Sequence, residues 1–160
     1  MTGPIPFRSG DFVWTRFPFE NEPDEPGLVR HAACVIAAFT QQQAGAATSA
    51  DVPARGLVVG VYTSSKVGKF GDALPIGVIQ VGREQASRLG GQVAFFIDVR
   101  KRAFLPYTRK FFPDIDEPGC GLIAPASRAL FDEVKRQYLL VNQRHQDLIV
   151  NVGPLRPPGT

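Results

Sequence analysis

Arg30 and His31 stand side by side in Val29-Arg30-His31-Ala32, where a loop enters an apolar run. An arginine supplies a fixed cation, and a histidine supplies a group that titrates near neutral pH. Those are the parts needed to neutralise a phosphate and move a proton. The same pair also fits two solvated residues at a strand end. A second grouping, Thr63-Ser64-Ser65-Lys66, follows another apolar run. Its hydroxyls and backbone N–H groups can hold a phosphate, with Lys66 adding charge. An ordinary polar turn has the same composition. The third grouping, RKRAFLPYTRKFF from Arg100 to Phe112, interleaves Arg100, Lys101, Arg102, Arg109 and Lys110 with aromatic rings. Cations and rings in that mixture suit single-stranded nucleic acid, through phosphate contacts and base stacking. For Phe104, Phe111 and Phe112, a place in the core is the better expectation.

Other chemistries lack their parts. The chain has no GxxxxGK[ST] phosphate loop, no GxGxxG after a strand, no HExxH and no GxSxG. His31 and His145 lie far apart, with no ligand-like spacing around either. Cys34 and Cys120 form neither a CxxC pair nor a disulfide ladder. Neither a metal nor a cofactor is expected.

The elements that must carry these groups are short. With 160 residues the chain suits one domain, and 44% apolar against 21% charged residues is enough to bury a core. Fourteen prolines and sixteen glycines punctuate brief apolar runs, a pattern of strands and turns. Strands are expected at Phe12–Phe17, Ala32–Phe39, Gly56–Tyr62, Ile76–Val81, Gln92–Val99, Ala103–Leu105 and Asp147–Val152. Arg100-Lys101-Arg102 falls in the turn between two of them. Residues 40–55 read as a flexible loop, and 153–160 as a Pro-rich tail. Leu130, Val134, Tyr138 and Val141 share one face of a helix running from about Arg128 to about Gln143, capped by Ser127. The fold class is mainly β with α (α+β), a small and strongly bent sheet or half-open barrel with the helix packed against it.

Net charge is only +3, but its distribution is uneven. Glu20, Glu22, Asp24 and Glu25 crowd one segment and the basic residues near position 100 another, so an acidic loop and a basic face are expected. No apolar run approaches the ~20 residues of a membrane span. The N-terminus lacks a basic-then-apolar leader, and a cytoplasmic protein is expected.

Read together, the motifs resemble the PemK/MazF family of toxin endoribonucleases. Gly10-Asp11-Phe12-Val13-Trp14 followed by Phe17-Pro18 is similar to the family's opening. Arg30-His31-Ala32-Ala33-Cys34-Val35-Ile36 stands where the family has a motif close to Arg-Arg-Pro-Ala-Leu-Val-Leu. Val58-Val59-Gly60-Val61-Tyr62-Thr63-Ser64 is similar to a family strand ending in Thr-Ser. The likeness covers residues 10 to 65 and is loose beyond.

The resemblance implies an SH3-like half-open barrel of about five to seven strands with a C-terminal helix, usually a homodimer. It implies metal-independent cleavage of single-stranded RNA by a toxin whose partner is a cognate antitoxin. In a gapless match His31 falls on the family's catalytic Arg, whereas a one-residue shift restores Arg30 to that place. Both registers stay open. Thr63 matches a phosphate-contacting Thr, with Ser64 beside it. On this reading Arg30 and Thr63 hold the scissile phosphate and His31 transfers protons. Lys66, Arg100, Arg102 and Arg109 guide the RNA, and Glu20 to Glu25 lie in a loop beside the site. The alternative is a catalytically inactive barrel of the same fold that binds RNA or a protein partner.

Overall fold

The apolar run that begins at His31 becomes an inner strand because both its faces find cover. In the computed structural model, which describes residues 5–40, 56–66, 70–71, 73–90 and 93–155, that run is strand β2 (His31–Phe39). The others are β1 (Asp11–Thr15), β3 (Leu57–Ser64), β4 (Val78–Val81), β5 (Phe95–Pro106), β6 (Leu122–Pro125) and β7 (Val150–Val152). Two helices accompany them, α1 (Arg83–Arg88) and α2 (Arg128–Arg144). The fold is thus mainly β with α, a bent, half-open barrel-like sheet in the order β4-β5-β3-β2-β1-β6. Neighbours along that path are antiparallel, and β7 lies parallel to β5. Apart from Thr40, the loop expected at 40–55 lies outside the described residues.

Side-chain alternation along each strand feeds two cores. Val13, Ala33, Val35, Val58 and Leu105 face one side, where Phe7, Tyr107, Phe111 and Phe112 pack on them. Their neighbours Phe12, Cys34 and Val61 face the other, under Leu130, Val134 and Val141 of α2. Burying each of those three helix residues stabilises the layer by roughly 1.5–3 kcal/mol. Ser127 caps α2 as the sequence predicts, accepting a hydrogen bond from the Leu130 backbone N–H at 3.1 Å. The tail is docked at its start, with Leu155 buried beside Leu57, Val59 and Phe104.

Three elements differ from expectation. Arg100-Lys101-Arg102 does not turn, because β5 runs through it as one long strand. Tyr62 pairs with Asp98 but its neighbour Val61 pairs with Arg102, so a bulge absorbs the intervening residues. Helix α1 and strand β6 are additional. Tyr107, Phe111 and Phe112 are buried, as is Phe104, which leaves none of the rings of this stretch open for base stacking.

Candidate functional site

Strand pairing brings the first two sequence groupings together. Trp14 on β1 lies opposite Ala32 on β2, and Ala33 lies opposite Tyr62 on β3. Phe12, Cys34 and Val61 face α2, so Trp14, Ala32 and Thr63, two residues further along their strands, end on that same face. There the Thr63 hydroxyl donates to the Ala32 carbonyl oxygen at 2.7 Å, while its own lone pairs remain able to accept. The Arg30 guanidinium covers the Trp14 indole, 4.9 Å from the ring centroid, as cation–π attraction favours. Arg30 Nη1 also donates to Asp114 Oδ2 at 2.6 Å, yet half of the arginine side chain stays exposed.

A pocket of about 260 Å³ opens beside these groups, with Trp14, Arg30, Thr63, Ser65, Leu89 and Phe95 among its walls. Its floor is mostly apolar, and its polar groups gather where β2 begins and β3 ends. Arg30 and Thr63, remote in sequence, therefore share one cavity.

His31 also lines this pocket, with its ring against Tyr62 at the strand end. The imidazole stacks flat on Tyr62, with centroids 5.0 Å apart and planes 2° from parallel. Its Nε2 lies 2.6 Å from the Thr63 carbonyl oxygen. A carbonyl can only accept, so Nε2 carries the proton and Nδ1 is the atom left to take or give one. Tyr62 and Thr63 are consecutive, so the imidazole sits beside the strand end that carries the hydroxyl.

The remaining candidates scatter. Ser64 is buried, and its Oγ accepts from the Lys66 backbone N–H at 3.2 Å, closing the turn that leaves β3. Lys66 itself is exposed. Arg100 is clamped on the buried Asp98 by Nε and Nη2, each at 2.8 Å, and that pairing holds its pKa above the ordinary arginine value. Arg109 pairs with Asp116 on the exposed surface. Arg102 is 4% exposed and sits beneath α2, which removes it from any outer RNA-guiding face. Arg100, Arg102 and Arg109 are not among the residues that line the Arg30–Thr63 pocket.

Sequence reasoning named Lys101 only as part of the basic stretch and missed its place beside Tyr62. Its ammonium lies 5.2 Å over the ring of Tyr62, the residue that also stacks with His31, and 3.4 Å from Glu20. Glu25 likewise meets Lys110 at 3.5 Å, so the acidic loop folds onto the basic stretch. Only the alternation of β5 could have signalled this, and a turn assignment conceals that alternation. Asp114 carried no local signal either.

The arrangement offers an apolar shelf, a half-exposed guanidinium, a hydroxyl acceptor and an imidazole of fixed tautomer around one strand end. Scanned against models of known protein families the chain matches none, and no curated protein matches it. Among the described residues, no helix is long and apolar enough to cross a membrane.

Proposed function

We propose that the chain is a metal-independent endoribonuclease of single-stranded RNA, acting as the toxin of a bacterial type II toxin–antitoxin pair. The observation that carries this reading is the meeting of Arg30 and Thr63 at one pocket, with His31 hydrogen-bonded to the Thr63 main chain. In the reaction, His31 Nδ1 takes the proton of a ribose 2′-hydroxyl. The 2′-oxygen then bonds to phosphorus as the bond from phosphorus to the 5′-oxygen breaks. That oxygen recovers the proton, leaving a 2′,3′-cyclic phosphate and a 5′-hydroxyl. Arg30 neutralises the charge that grows on the non-bridging oxygens, and Thr63 orients the phosphate. Ser64 and Lys66 border the same strand end, and Lys101 adds a cation over Tyr62. A cytoplasmic homodimer, with a cognate antitoxin competing for the site, belongs to the same proposal.

A second reading, an inactive barrel that binds RNA or a protein, draws on a specific observation. Arg30, His31 and Thr63 each already hold an internal partner, Asp114, the Thr63 carbonyl and the Ala32 carbonyl. Expression of the chain alone in a bacterium separates the two. Growth arrest relieved by His31→Ala supports the nuclease, and harmless expression supports the binding module.

A further inference from the structure

The guanidinium of Arg102 is buried and, among the described residues, has no counter-anion. Its Nε donates to the Val99 carbonyl at 2.8 Å, Nη1 to Asn142 Oδ1, and Nη2 to the Tyr138 carbonyl at 3.3 Å. Its Cζ stands over the Tyr138 ring, 3.7 Å from the centroid. Among the described residues no carboxylate pairs with it. Among the described residues these bonds commit three of its five N–H groups, leaving one on each terminal nitrogen, with the Tyr138 phenol also close to the guanidinium. Burial pulls the Arg102 pKa down, opposed by the nearby Tyr138 phenol, whose own burial pushes its pKa up. A buried cation without an anion is unfavourable, and structures normally supply the partner.

The same residue lines a groove of about 660 Å³ between α2 and the β2–β3–β5 surface. Its apolar wall is Ile36, Phe39, Val59 and Phe104, with Asn142 beside the guanidinium. The volume lies within the range of small-molecule sites, and one charged group on an apolar wall is their usual design.

We infer that this groove binds a small carboxylate carried on an apolar body, the carboxylate forked on the two terminal nitrogens of Arg102 and the body lying along Ile36, Phe39, Val59 and Phe104. Two parallel N–H bonds to one carboxylate are the strongest use of an arginine. The site lies apart from the Arg30–Thr63 pocket and stands whether or not the chain cleaves RNA.

The test is calorimetric titration of the full chain with octanoate, octanamide, acetate and inorganic phosphate. Octanoate is expected to bind saturably, one per chain, at least tenfold tighter than octanamide or acetate. Arg102→Met should abolish the preference for the acid over the amide. Asn142→Asp sets a carboxylate against the guanidinium. It should raise the melting temperature and weaken octanoate at least tenfold, and it decides the matter if Arg102→Met does not fold. Equal binding of octanoate and octanamide, tighter binding of phosphate than of octanoate, or undiminished octanoate binding by Asn142→Asp would each overturn the inference.

Discussion

The Nε2–H of His31 donates to the carbonyl oxygen of Thr63 at 2.6 Å, tying the start of β2 to the end of β3. That bond fixes the imidazole tautomer and leaves Nδ1 for proton exchange. His31→Ala removes both the bond and the proposed base. RNA cleavage should fall at least about 100-fold, the usual weight of general acid–base catalysis. The fold should lose only about 1 kcal/mol, the worth of one hydrogen bond. Single-turnover cleavage and urea melts read the two effects separately.

Arg30 is shared between Asp114 and solvent, so its two partners can be tested in turn. Arg30→Ala should remove most cleavage while leaving the melting temperature nearly unchanged, since an exposed ion pair contributes about 0–1 kcal/mol. Asp114→Asn keeps the shape but frees the guanidinium of its anion. RNA affinity should then rise, measured by filter binding with the two variants side by side.

The acidic loop pairs with Lys101 and Lys110, two cations that RNA phosphates would meet on the proposed reading. Glu20→Gln combined with Glu25→Gln releases both ammonium groups from carboxylates 3.4 and 3.5 Å away. The double variant should bind single-stranded RNA more tightly at low salt and with a steeper salt dependence, as each freed cation displaces counterions from the RNA. Unchanged affinity and slope would mean that RNA does not use this face.

Cys34 makes stability fall at high pH. Burial first, and Asp11 second, push its thiol up to about 12 from 9.0. Below pH 9 the thiol is protonated in both folded and unfolded chains, and its contribution to stability is complete. Between 9 and 12 the unfolded chain releases a proton that the native chain keeps, so stability drops as pH rises. The loss by pH 11 is roughly 2–3 kcal/mol. Urea melts from pH 8 to 11 should show a shallower decline for Cys34→Ala than for the wild type.

Local pattern carried β1 to β3 and α2, because alternation and helical spacing are written in adjacent residues. Leu130, Val134 and Val141 are buried where their spacing puts them, and Ser127 caps the helix. Arg100-Lys101-Arg102 misled because three cations in a row resemble a solvated turn. Each is instead taken up within the strand, Arg100 by Asp98 on one side of it and Lys101 and Arg102 by the distant Glu20 and Asn142. β6 is four residues between Gly121 and Ala126, too short to show a period. At the site, the residue types of Arg30, His31 and Thr63 were legible. The face that each occupies, and the Asp114 that holds Arg30 from far along the chain, follow only from strand register.

The most direct measurement is incubation of the purified chain with a long single-stranded RNA in EDTA, followed by chemical mapping of the product ends. Cleavage leaving 2′,3′-cyclic phosphate and 5′-hydroxyl ends, lost in folded Arg30→Ala, is the predicted result. Intact RNA, or equal cleavage by the wild type and Arg30→Ala, would contradict it.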